Sequence, residues 1–129
     1  MVTRGFKMMM AEANAVIDTV SVQDALRLID DPGAVFVDVR ETVELQREGT
    51  IPGAVHAPRG LLEFIADPAS PMHHQALSSG KRLVLFCASG GRSTFAARTL
   101  TEMGIGDVCH VAGGYSAWRH AGGPIERMA

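Results

Sequence analysis

The chain lacks most of the features that assign a protein to a class at first sight. It has no run of basic residues, and 12 Lys and Arg against 14 Asp and Glu leave a formal net charge of −2. Nucleic acid and anionic membrane surfaces therefore find no electrostatic footprint and are not expected as partners. No apolar stretch approaches the roughly 20 residues of a transmembrane helix. Cysteine is scarce. Cys87 and Cys109 cannot build a disulfide scaffold, and no CxxC pair offers the usual zinc spacing. Such usage fits a reducing compartment. Repeats, low-complexity tracts and long linkers are missing too, so 129 residues read as one domain. A chain of that size buries enough surface to fold without a metal or cross-link.

What is present is a regular alternation. Near the start, Arg4 and Lys7 precede Met8, Met9 and Met10, but Glu12 cuts the apolar stretch short of a signal-peptide core. A short amphipathic helix over 5–15 and a cytoplasmic setting are expected instead. Ser21 followed by Asp24 resembles a capping box, and Val22, Ala25, Leu26 and Ile29 then recur at helical spacing. "AVFVDV" at 34–39, "RLVLFC" at 82–87 and "VCHV" at 108–111 are short valine- and leucine-rich runs, typical of strands buried on both faces. "VHAP" at 55–58 reads as a further brief strand. Helices are expected over 41–48, 61–65, 92–103 and up to Trp118, with a loop carrying one helical turn over 67–80. Strands alternating with helices indicate an α/β domain with a central parallel sheet covered on both faces. Ligands bind beyond the carboxyl ends of the strands in such a sheet, which is where Cys87 stands.

The segment "LVLFCASGGRST" at 83–94 carries the chemistry. A loop that closes onto a helix N-terminus turns several backbone N–H groups inward. Gly90 and Gly91 reach backbone angles closed to other residues. Small side chains at 88–91 leave the cradle open, and the positive end of the following helix faces the same spot. With Arg92 close by, this setting favours the thiolate of Cys87. A buried cysteine is most often structural. That reading explains neither the strand-end position nor the Gly-Gly-Arg that follows, whereas it suits Cys109, which sits mid-strand among bulky neighbours.

Four segments in order give the chain a resemblance to the rhodanese (sulfurtransferase) family. "VFVDVRETVEL" is similar to that family's strand with its Asp-Val-Arg ending, and "GTIPGAVHAP" to its Ile-Pro-Gly-Ala signature. "LVLFCASGGRS" resembles its active-site strand and loop, and "VAGGYSAWRHAGGPI" its closing segment. The likeness covers roughly residues 20–126, one complete domain. It implies a sheet of about five strands within a domain over 16–129, preceded by a helical extension over 1–15. It also implies that Cys87 is the nucleophile that carries sulfur as a persulfide. Ala88, Ser89, Gly90, Gly91, Arg92 and Ser93 would then bind an anionic donor such as thiosulfate. Asp38 and Arg40 match positions that build the floor and rim of the site, and Arg59 follows the Ile-Pro-Gly-Ala segment closely enough to reach its mouth or to be a solvated surface residue. The acceptor would be a small thiol, cyanide or a protein thiol. No cofactor and no metal are implied. Phosphatases and arsenate reductases related to this family place one residue more between Cys and Arg, so the C-x4-R spacing favours sulfur transfer.

The sequence departs from the family in places. Thr50 stands where a histidine usually precedes Ile-Pro-Gly-Ala, and residues 88–91 carry no charge, which leaves the donor open. A persulfide carrier or redox sensor without turnover is the alternative, and a phosphatase or arsenate reductase the third reading. His73 and His74 share a loop with no third ligand in sequence. His110 alternates with Cys109 and so faces the other side of its strand; neither histidine set reads as a metal site. Tyr115 and Trp118 read as the core anchor of the last helix.

Overall fold

A computed structural model describes residues 1–128. The elements are α1 (Phe6–Asn14), β1 (Asp18–Val20), α2 (Val22–Leu28), β2 (Ala34–Asp38), α3 (Thr42–Glu48) and β3 (Val55–His56). A 3-10 turn (Arg59–Leu61) then runs into α4 (Leu62–Ala66), and a second (Gln75–Ser78) precedes β4 (Arg82–Phe86). The chain continues through α5 (Gly91–Glu102) and β5 (Val108–Val111) to α6 (Gly114–His120). The five strands form one parallel sheet in the order β1-β5-β4-β2-β3.

The apolar runs in the sequence become the inner strands. Side chains alternate across a strand. Leu83, Leu85 and Cys87 therefore join α4 and α5 on one face, with Val37, Ala96, Ala97 and Leu100. Val84 and Phe86 face α2 and α6 on the other, with Phe36, Cys109, Tyr115 and Trp118. Trp118 is fully buried, meets Phe36 edge-on at 5.5 Å and donates its indole N–H to Pro124 O at 2.8 Å. It is the anchor of the last helix, as its position in the sequence suggests.

Three local features differ from the sequence reading. The edge strand β1 was not foreseen: Asp18-Thr19-Val20 is too short and too polar to show a strand pattern, and its pairing with β5 creates it. Ser21 does cap α2, accepting from Asp24 N at 3.1 Å, but Asp24 turns to Arg27 and leaves the box half closed. The full capping box lies at α3, where Glu41 and Glu44 exchange side chain-to-backbone bonds. The α1 helix packs on α5 and buries Ala13 completely. No helix among the described residues is long and apolar enough to cross a membrane.

The start of α6 presses directly on the segment after β4. Tyr115 N donates to Cys87 O at 2.8 Å and Ser116 N to Ala88 O at 3.1 Å. Gly114 makes this approach possible: its φ is +58°, and a Cβ there would lie 2.4 Å from Cys87 O. Gly53, at φ +78°, has open space around it. Gly53→Ala should cost about 1–2 kcal/mol of backbone strain. Gly114→Ala should cost clearly more, because loop backbone must move as well; urea unfolding of the two variants checks the order.

Candidate active site

β4 delivers Cys87 to the carboxyl edge of the sheet, and the chain then folds back through Ala88-Ser89-Gly90 into α5. Gly90 holds a φ of +122°, a backbone region that side chains disfavour. This turn directs Gly90 N and Ser93 N at Cys87 Sγ, at 3.1 Å and 3.3 Å. The α5 macrodipole points its positive end the same way. The thiol is 1% exposed. The result is a sulfur atom at the base of a cup of small residues, facing N–H donors that favour negative charge on it.

Asp38 and Arg40 form the floor of the neighbouring loop and are both fully buried. The Asp38 carboxylate accepts from Arg40 N, Nε and Nη2 and from Thr50 Oγ1, at 2.8–3.0 Å. Arg40 Nη2 also donates to Gly49 O at 2.7 Å, and the guanidinium stacks 4.1 Å from the Tyr115 ring centroid. Thr50, at the position where the resemblance leads one to expect a histidine, donates its hydroxyl to this carboxylate. Among the described residues Arg40 Nη1 has no hydrogen-bond partner, and it lies 3.9 Å from Glu48 Oε1. Glu48 also reaches Arg119 at 3.5 Å, so its carboxylate bridges two cations on the wall of a cavity of about 370 Å³ beside Ala88.

Arg92 does not fold into the cup. Its two terminal nitrogens donate to Glu44 Oε1 and Oε2 at 2.6 Å and 2.9 Å, a bidentate pair between α5 and α3. Hydrogen bonding to Arg92 is the main reason the Glu44 carboxyl is held down at about 2. Arg59 also points elsewhere, to Glu63 and to Thr99 Oγ1, on the wall of a groove between α1 and α5. Ser89 and Gly91 complete the loop without bonding the sulfur. Cys109 is buried on the opposite face, where burial pushes its thiol up to about 11. Both cysteines are free. Among the described residues, no group of three or more His, Cys, Asp or Glu is arranged to hold a metal ion.

His110, weighed in the sequence only as a metal ligand, stands against the cysteine loop. Its Nδ1 lies 2.9 Å from Ser93 Oγ, which lies 3.5 Å from Cys87 Sγ, and its Nε2 lies 3.0 Å from Thr19 Oγ1. A lone histidine in a strand whose four residues are all buried was the available signal. Burial holds its imidazolium below the usual range.

The fold and site define an α/β domain with a parallel sheet and a buried thiol in a backbone cup at its carboxyl edge. The rhodanese-like domain family model matches residues 21–121, and the chain belongs to that family. It is 32% identical over 99 residues to a sulfurtransferase of Allochromatium vinosum, covering 77% of this chain and 84% of that protein. It is 36% identical over 88 residues to the tRNA uridine(34) hydroxylase of Mesorhizobium japonicum, with 67% of this chain matched but only 27% of that enzyme. Among solved structures, a Rhodopseudomonas palustris protein of unknown function, described as a possible tyrosine phosphatase, superposes with a TM-score of 0.94. The two are 44% identical, and the match covers 98% of this chain and 97% of that one. The polysulfide-sulfur transferase of Wolinella succinogenes superposes with a TM-score of 0.72 at 27% identity, covering 96% and 88% of the two chains.

Two outcomes follow from the ion pairs. The Glu44 carboxyl is lowered on folding, so its contribution to stability is complete above about pH 4.5 and is lost as pH falls towards about 2. Glu44→Gln should flatten that part of an acid-unfolding curve. Arg40→Met would leave the Asp38 charge buried and unpaired, with an expected loss of about 3–5 kcal/mol in chemical denaturation.

Proposed function

We propose that the protein is a sulfurtransferase in which Cys87 carries sulfane sulfur as a persulfide. The observation that carries this reading is the pair of backbone donors, Gly90 N and Ser93 N, aimed at a strand-end sulfur. The Cys87 thiolate attacks the outer sulfur of an anionic donor such as thiosulfate. The donor's S–S bond breaks and sulfite leaves with the bonding pair. The new Cys87–S–S⁻ group stays in the cup, where N–H donors and the α5 dipole face its charge. A thiolate or cyanide acceptor then attacks the outer sulfur and releases the Cys87 thiolate. Ala88, Ser89, Gly90, Gly91 and Ser93 form the cup. Asp38 and Arg40 hold its neighbouring loop, and Arg59 stands outside the chemistry. The sulfurtransferase of Allochromatium vinosum supports the reaction class, and the free thiols suit a reducing compartment such as the cytoplasm. We read α1 as an extension that docks on the domain through α5.

The description of the Rhodopseudomonas palustris protein brings in a second reading, phosphate ester hydrolysis. The short loop and the orientation of Arg92 argue against it. A phosphoryl group in the cup calls for a guanidinium clamp, and both terminal nitrogens of Arg92 are engaged by Glu44.

Intact mass after incubation with thiosulfate tests the proposal. The wild type should gain about one sulfur atom, lost on adding cyanide, and Cys87→Ser should gain none. Activity on p-nitrophenyl phosphate without any persulfide would favour the phosphatase reading. A stable persulfide that no acceptor removes would identify a carrier or sensor instead.

A further inference from the structure

Cys87 is 1% exposed, so its thiol proton has no direct route to water. Three side chains nevertheless join it to the surface. Cys87 Sγ contacts Ser93 Oγ at 3.5 Å, Ser93 Oγ contacts His110 Nδ1 at 2.9 Å, and His110 Nε2 contacts Thr19 Oγ1 at 3.0 Å. Ser93 and His110 are buried, whereas Thr19 is exposed on the edge strand β1. Ser93 Oγ also donates to Gly90 O at 3.1 Å, a carbonyl that takes two further bonds from Thr94, at 3.1 Å and 2.7 Å. The crowded Gly90 carbonyl competes weakly for the Ser93 proton, and His110 Nδ1 at 2.9 Å is the nearer acceptor, while rotation of the hydroxyl also brings it to Cys87.

We propose that Ser93, His110 and Thr19 form a proton path that ionises the buried Cys87 thiol and then holds the thiolate, with His110 as the positioning residue. In the thiol state Cys87 S–H donates to Ser93 Oγ, Ser93 O–H to His110 Nδ1, and His110 Nε2–H to Thr19 Oγ1. Ionisation moves one proton along each link. The S–H bond breaks as a new Ser93 O–H forms, the old Ser93 proton passes to Nδ1, the Nε2 proton passes to Thr19, and the Thr19 proton leaves to water. Every donor then points the other way. Nδ1–H donates to Ser93 Oγ, and Ser93 O–H donates to the thiolate. His110 begins and ends neutral with its tautomer exchanged, which suits an imidazole whose protonation burial opposes.

Other charges do not take part in the path. On α5, Arg92 is bound to Glu44, and Arg98 to Glu12 and Glu102. On α1, Glu12 is shared with Arg4, and Lys7 lies on an exposed stretch. On β1, Asp18 pairs in register with Cys109, whose side chain faces the opposite side of the sheet. The pair Arg82–Asp107 lies at the start of β4 and just before β5.

This inference deepens the sulfurtransferase reading and rests on Cys87 being its nucleophile, but its test needs no sulfur transfer. The rate of Cys87 alkylation by iodoacetamide, followed against pH with Cys87→Ser as background, reads thiolate formation alone. Ser93→Ala and His110→Phe should each slow alkylation at pH 7 by about 10- to 100-fold and move the pH midpoint upward, the effect of losing a charge-assisted donor. Ser93→Thr should restore the rate. Thr19→Val, at the exposed end, should slow it by about 2- to 10-fold without disturbing the core. A wild-type pH profile in Ser93→Ala and Thr19→Val would overturn the path, even if His110→Phe failed to fold. A shift in Ser93→Ala alone, with folded His110→Phe unchanged, would overturn the role of His110. Should wild type form no persulfide while these profiles behave as expected, the sulfur-transfer reading falls and the proton path stands.

Discussion

The buried ion pair between Asp38 and Arg40 is the interaction on which the sheet edge that carries Cys87 depends. Two charges removed from water are costly unless each finds further hydrogen bonds. Here the carboxylate accepts four bonds and the guanidinium reaches Gly49 O and the Tyr115 ring. The same arginine's carbonyl lies 2.7 Å from His56 Nε2, which ties in β3. The end of β2, the approach to β3 and the first turn of α6 are thereby held in one arrangement. Since Tyr115 N and Ser116 N bond the carbonyls of Cys87 and Ala88, that arrangement passes directly to the cysteine loop.

The cup itself is made almost wholly of backbone. In the proposed cycle the sulfur is anionic, then persulfidated, then anionic again, which calls for donors that do not move or titrate, and peptide N–H groups at a helix N-terminus meet that need. Charged side chains are kept at a distance. Arg92 braces α5 against α3 through Glu44, and Glu48 bridges Arg40 and Arg119. In the proposed path the thiol proton leaves through Ser93 and His110, a route on which the imidazole begins and ends neutral.

Much of this domain was legible in its sequence. Three valine- and leucine-rich runs became β2, β4 and β5, and the 92–103 pattern became α5 within a residue at each end. Cys87 was recognisable because a strand that ends in Cys-Ala-Ser-Gly-Gly-Arg has few structural reasons to exist. Met103, the last residue of the expected 92–103 helix, instead follows α5 and is 40% exposed, because the chain turns away there. The resemblance placed Arg92 in the binding loop, and Arg59 either at the site's mouth or on the solvated surface. Both are drawn away by partners 48 and 4 residues distant in the chain, Glu44 and Glu63.

By itself the sequence determined the sheet, its order of elements and the thiol at its edge, because apolar periodicity and glycine placement act locally along the chain. Tertiary structure alone decided β1, which exists only by pairing with β5. It also decided which carboxylate each arginine meets, and the line from Cys87 through Ser93 and His110 to Thr19. Those contacts join residues up to 91 positions apart. A hydrogen bond requires its partners within a few tenths of an ångström, a condition set by how the helices close on the sheet and not by any spacing along the chain.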